Sequence, residues 1–149
     1  MIVASNLDKT SADPFNLQRF VEAQERIYPQ VTSELRAGRK MSHWIWFIFP
    51  QIQGLGRSPT AIEYAISGLD EARAYLAHAV LGPRLRECTQ LVLGVENRSA
   101  AQIFMSPDDM KFRSCMTLFA QHSPEDDIFT KALQKYFRGV PDQLTLDRL

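Results

Sequence analysis

The stretch SHWIWFIFPQIQGLGRSP, Ser42 to Pro59, decides how this chain is read. Six consecutive apolar residues, Trp44 to Phe49, stand between a histidine and a glycine-arginine turn. Their types favour a strand, yet the run shows neither strict alternation nor a clean helical stripe. A lone strand in an otherwise helical chain leaves its amides and carbonyls unpaired. A short buried helix, capped by Ser42 and stopped by Pro50, satisfies them internally. Apolar all round, it is expected to lie centrally. Its Trp and Phe side chains can each bury roughly 150–250 Å², which makes the run the energetic centre of the core.

Working outward, the remaining periodicity is helical. Asp13-Pro14 offers a cap and a first-turn proline, and Phe15, Phe20, Val21, Ile27, Tyr28 and Val31 follow largely at three- and four-residue spacing. This predicts one amphipathic helix, kinked near Pro29 and ending at Ala37-Gly38. Three Ser-Pro pairs, Ser58-Pro59, Ser106-Pro107 and Ser123-Pro124, are helix starts, the last two followed by Asp109 and Asp126. Leu69 to Ala77 and Val80 to Val95 carry helical apolar spacing, and Ser99 to Phe104 fits another turn or two. The final PDQLTLDRL fits a short closing helix or a docked tail equally well. No hairpin signal and no glycine-rich repeat interrupts the pattern. The expectation is therefore an all-α chain: a flexible arm over 1–12, then a single compact multi-helix domain over 13–149 with a central buried aromatic helix.

Composition narrows the function classes. At 149 residues the chain suits one domain with a full core. Lys plus Arg is 17 and Asp plus Glu is 17, so no general attraction to nucleic acid or anionic membrane is expected. Cys88 and Cys115 lie in no CxxC and near no histidine at ligand spacing, so no metal and no cofactor is expected. The start MIVASNLDKTSAD has no basic n-region or long apolar h-region, which with free cysteines points to a cytoplasmic protein.

Candidate site residues gather around the quoted stretch. Trp44 and Trp46 fit either core packing or the wall of a ligand pocket, since a buried indole needs an acceptor and His43 brings another polar edge. His43 is the one plausible proton-transfer group, although a structural histidine fits it better. Gln51 through Pro59 forms a flexible turn into a helix start. Gly54 and Gly56 allow amides to face a ligand, and Arg57 can clamp phosphate or carboxylate. No third glycine, P-loop lysine or preceding strand is present, so no nucleotide fingerprint is met. Arg39 and Lys40 precede the stretch and add charge. Gln24 sits inside the apolar stripe of the first helix, where its amide needs a partner, either a loop or a ligand. On the Pro107 helix the apolar residues cover more than one face, so Lys111, Arg113, Ser114 and Thr117 have limited access to water. Lys111 and Arg113 are anion-partner candidates. Asp108 and Asp109 are explained by capping and the helix dipole. Glu71, Arg73, Arg84, Arg86 and Glu87 read as solvated faces, and His78 and His122 as cations near helix ends.

The segments DPFNLQRFVEAQ, ELRAGRKMSHWIWFIFPQIQGLGRSP, EARAYLAHAVLGPRLREC and SPDDMKFRSCMTLF together resemble the bacterial family known as domain of unknown function 1810. The resemblance runs from Asp13 to about Phe137 and implies an all-helical fold with no assigned activity. Two positions depart from it: Ala79, where the resemblance leads one to expect proline, and Met105, where it leads one to expect glycine. The layout is also similar to the NADAR group of helical proteins acting on ADP-ribose derivatives, though no motif matches residue by residue.

Two functions follow as expectations. One is a site formed by Gln24, the 39–58 segment and the Pro107 helix, binding an anionic, nucleotide-like or ADP-ribose-like small molecule against an aromatic wall. The other is a protein-protein interaction module without chemistry, the aromatic run being pure core. No arrangement matches a known reaction, so enzymatic activity stays open. The sequence sets no oligomeric state.

Overall fold

The structure, a computed structural model, describes residues 13–122 and 127–149. The expected arm over 1–12 and the Ser123-Pro124 helix start lie outside these residues. Among the described residues the chain forms ten helices and no strand. In chain order they are α1 (Gln18–Glu25), α2 (Tyr28–Arg36), α3 (Ile45–Ile48), α4 (Pro59–Glu63), α5 (Leu69–Ala77), α6 (Leu81–Leu93), α7 (Ala100–Phe104), α8 (Asp108–Ala120), α9 (Asp127–Phe137) and α10 (Gln143–Leu146). None is long and apolar enough to cross a membrane.

The single long helix expected over the first stretch is two. Asp13 is not the N-cap residue and Pro14 is not in the first turn: the helix opens at Gln18 with Leu17 as its cap, and the Asp13 carboxylate reaches it from four and five residues before, accepting from the Leu17 and Gln18 amides at 2.6 and 3.1 Å. It breaks at Arg26-Ile27, which puts Pro29 in the first turn of α2, where a missing amide disturbs nothing. Ser58 caps α4 as expected, accepting from Ala61 at 3.1 Å. Ser99 and Gln102 close a capping box at α7. Ser106 caps nothing: Ser106-Pro107 is a cis bond and α8 begins at Asp108 without a side-chain cap.

Helix α8 touches α3, α5, α7, α9 and α10. Its buried Phe112, Cys115, Met116 and Phe119 form the spine of the core. Phe112 stacks on Phe104 at 4.6 Å and meets Phe49 edge-on at 5.0 Å, and on the other side Phe119 approaches Tyr75 at 5.4 Å. The aromatic run sits inside this framework as predicted, with Trp44, Ile45, Ile48 and Phe49 buried. Trp46 and Phe47 are only half-buried. Truncating one such buried aromatic to alanine costs about 3–5 kcal/mol.

The aromatic run is helical over Ile45–Ile48, and the extended pairing among the described residues is one isolated bridge just beyond it. Ile52 pairs in parallel with Ile66, through Gln53 N–H to the Ile66 carbonyl and Ile66 N–H to the Gln51 carbonyl, both 2.8 Å.

Candidate functional site

The segment between α2 and α3 is organised by one buried carboxylate. Glu34, 8% exposed, accepts from the Met41 amide at 2.7 Å and the Ser42 amide at 3.1 Å. It also accepts from the Ser42 hydroxyl at 2.6 Å, the Trp44 indole at 2.9 Å and the Gln30 amide at 3.0 Å. Burial alone would raise this carboxyl, but the donors Ser42, Met41, Trp44 and Gln30 outweigh burial and hold it down at about 2. The expected Ser42 cap of the aromatic helix is thus replaced: the hydroxyl serves Glu34, and Trp44 opens α3 with no side-chain cap.

Next in the chain's path is a line of charge. Lys40 is buried, with its amide on the Ile103 carbonyl at 2.7 Å and its ammonium 2.8 Å from Asp108 and over the Trp44 ring at 5.1 Å. Lys111 shares Asp108 at 3.3 Å and lies over Trp46 at 5.0 Å. The Lys40–Asp108 pair ties α8 to the 38–44 segment, the Lys111–Asp108 pair lies within α8, and each indole carries one protein cation over its ring.

The glycine turn follows. Gly54 has φ +93°, a region that favours glycine, and a Cβ there would lie 2.3 Å from Arg148 Nη1. At Gly56 a Cβ would lie 2.5 Å from the Ala61 Cβ, so glycine is required for α4 to approach. The expected anion site at the start of α4 is corrected in one respect: α4 has only five residues, and Ser58 already accepts from its Ala61 amide. The turn itself is different. The amides of Gly54, Leu55, Gly56 and Arg57 donate to no acceptor among the described residues, and neither do the guanidiniums of Arg57 and Arg148. These two arginines, with Gln53, Gly54, Gly56, Ile62 and Ala65, line an open depression of about 510 Å³ that no carboxylate side chain borders. Trp46 and Tyr64 line a crevice behind the same glycines of only about 10 Å³, room for about one water molecule.

Arg148 reaches this place because the last residues are fastened to α8. The Arg113 guanidinium donates to the Val140 and Pro141 carbonyls at 2.9 and 3.3 Å and lies over Phe137 at 5.5 Å. Asp142 donates its amide to the Thr117 hydroxyl at 2.8 Å. Its carboxylate accepts from the Ser114 hydroxyl at 3.1 Å and the Thr145 hydroxyl at 2.6 Å. Of the polar α8 residues that the sequence left short of water, Arg113, Ser114 and Thr117 therefore face this docked segment, which is both a short helix and a tail, while Lys111 faces Asp108 and Trp46.

The other predicted residues scatter. Gln24 is buried and satisfied as a packing amide, donating to the Phe47 carbonyl at 2.7 Å and Tyr75 at 3.2 Å and accepting from Arg84 at 3.3 Å. His43 and Arg39 are exposed and their side chains have no partner among the described residues. Gln51 lines the narrow crevice. The structure brings Gly54, Gly56 and Arg57 into one depression, places Trp46 and Gln51 behind it, and leaves Gln24, Arg39, Lys40, His43, Trp44, Lys111 and Arg113 off its lining. Arg148 and Ile62 were missed; nothing in a nine-residue tail of mixed polarity marks one arginine as facing a turn 91 positions earlier.

Several side chains read as solvated are structural. Glu71 is 3% exposed, pairs with Arg19 at 2.9 Å and accepts from the Ser67 amide and hydroxyl, each at 2.8 Å. Arg84 stacks over Tyr28 at 4.7 Å, and the Tyr28 hydroxyl donates to Glu87. The His78 Nδ1 accepts from the Val80 and Leu81 amides at 3.1 and 3.2 Å. A larger depression, about 970 Å³, opens beside Asp13 and Phe15, but Asp13 and His78 on its lining are already spent on backbone amides. Burial pushes the Cys88 thiol up to about 12 and raises Cys115 well above its ordinary value, so neither is an activated nucleophile. No group of three or more His, Cys, Asp or Glu with metal-binding geometry occurs among the described residues.

No curated protein matches this chain. Among solved structures it is similar to the conserved hypothetical protein Rv1873 from Mycobacterium tuberculosis, at 54% identity and a TM-score of 0.91 over 92% of this chain and 98% of that one. The family described as protein of unknown function (DUF1810) matches residues 14–149, and with that span covered, the chain belongs to this family.

Proposed function

We propose that this protein binds a small anionic ligand in the depression between Arg57 and Arg148. The observation that carries the reading is the pair of guanidiniums, both without a protein acceptor among the described residues, on one concave surface that no carboxylate side chain borders. A volume of about 510 Å³ falls within the range of small-molecule sites. Nucleotides and ADP-ribose derivatives are within the class. The aromatic wall expected from the sequence plays a supporting part: Trp46 backs the glycine turn instead of facing the ligand. No residue is assigned to proton transfer.

The test is a thermal-shift screen of nucleotides, ADP-ribose derivatives and small phosphorylated or carboxylated metabolites. A ligand at a hundred times its dissociation constant adds about 2.7 kcal/mol of stability. The expected hit disappears in Arg57→Ala, a change at an exposed residue that leaves the unliganded melting temperature in place. A hit that persists undiminished in that variant refutes the site.

A second reading, a protein-protein interaction module, is favoured by Met41, Met105 and Met110, exposed by 66%, 58% and 43%. They flank the segments that Lys40 ties together, and flexible thioethers suit adaptable contacts. A screen without any hit, together with loss of a pulled-down partner on Met41→Ser, selects this reading.

A further inference from the structure

Resting on the small-molecule reading of the same depression, we infer that the ligand carries a doubly charged phosphate, as a monoester or a pyrophosphate, and that Arg148 is half of the clamp that holds it. The donors outnumber what a carboxylate accepts. Arg57 and Arg148 each present a planar fork able to bind two oxygens, and the Gly54 to Arg57 amides are unpaired beside them. A carboxylate has two oxygens and one charge; it saturates one fork and leaves the second guanidinium uncompensated. A phosphate offers three or more oxygens and up to two charges. Ile62, 64% exposed, and Ala65 supply an apolar flank for the organic part.

The second arginine is placed from two directions. The Asp142, Ser114, Thr145 and Thr117 hydrogen bonds fix the segment that carries it, and the missing Cβ at Gly54 makes room for its guanidinium. Asp147, its neighbour in sequence, is engaged by Gln143 at 2.8 Å and does not neutralise it. The clamp therefore exists only where the glycine turn and the docked segment meet.

The experiment is calorimetric titration of the full chain with three probes: phenyl phosphate, ADP-ribose and benzoate. At least one of the two phosphates is expected to bind tenfold or more tightly than benzoate. Arg57→Ala and Arg148→Ala are each expected to weaken it at least tenfold, and Arg148→Lys not to restore it, since an ammonium cannot replace the fork. A monoester loses its second proton near pH 6, so its binding should strengthen between pH 5 and 7, whereas ADP-ribose binding should be flat over that interval; this separates the two sources. Benzoate binding as well as both phosphates, with Arg57 still required, overturns the phosphate class and leaves the anion site standing. Arg148→Ala binding like the parent while Arg57→Ala does not overturns the two-arginine clamp. Failure of all three probes to bind overturns both this inference and the site itself.

Discussion

Replacing Glu34 by glutamine removes the charge from a carboxylate that five donors converge on. Its folded value of about 2, against an ordinary 4.5, corresponds to about 3 kcal/mol at neutral pH, at 1.36 kcal/mol per pH unit. The direction follows from the lowered folded value: the contribution is complete above about pH 5 and is lost as pH falls toward 2. At pH 3 only about 1 kcal/mol of it should remain. Against a total of about 5–15 kcal/mol for a domain, 3 is a large share. Urea unfolding followed by tryptophan emission should show Glu34→Gln about 3 kcal/mol less stable than the parent at pH 7, with the slope on urea unchanged. At pH 3 the two proteins should differ by about 2 kcal/mol less than at pH 7, other carboxylates cancelling in the comparison. A gap that stays constant from pH 7 to pH 3 would refute the view that the ionised carboxylate organises the 38–44 segment.

Three further outcomes are expected. Met105 has φ 64° and ψ 156°, a region nearly confined to glycine that costs a larger residue about 1–3 kcal/mol. Met105→Gly should therefore raise the melting temperature by about 2–4 °C, whereas Met105→Ala should not; equal melting temperatures for the two variants would count against backbone strain there. Gly54→Ala and Gly56→Ala should each lower the melting temperature, the first because φ +93° strains any residue with a Cβ even though only the far end of Arg148 stands in its way, the second because its Cβ meets Ala61 in α4; scanning calorimetry checks both, and an unchanged melting temperature in either variant would count against its reason. Cys88 and Cys115, both buried, should resist a thiol reagent at pH 8 and react together only as the protein unfolds in urea; labelling of either in the native state would contradict their burial.

The fold was legible wherever the signal was local. Leu69 to Ala77 was delimited to the residue, because an apolar stripe and a glycine at position 68 bracket it. The helix opened by Ser58 followed from one hydroxyl and one proline, and Ser99 marked the start of α7. What could not be read was which partner wins when a residue has several. Ser42 carries a good capping hydroxyl, but the neighbouring carboxylate of Glu34 binds it more strongly. Glu34 itself, on a helix beside Gln30, Ser33 and Arg36, has the sequence signature of a solvated face; only the chain doubling back at Gly38 buries it. The candidate site was half legible. Gly54, Gly56 and Arg57 announce a turn able to accept charge, but Arg148 comes to it through the contacts of α8 and α10, which no local pattern encodes.

The bridge between Ile52 and Ile66 has a consequence for how the chain tolerates change. Two hydrogen bonds, Gln53 to Ile66 and Ile66 to Gln51, staple the base of an excursion that contains the glycine turn and α4. The excursion is fastened to the core at its far end as well, where Tyr64 packs on Phe20 at 5.7 Å and on Phe47 at 5.3 Å. Ile52 and Ile66, 2% and 0% exposed, fix the two ends of the excursion, so an insertion there costs little closure entropy but is tolerated only where it leaves Gly54, Gly56, Arg57 and the Tyr64 contacts in place.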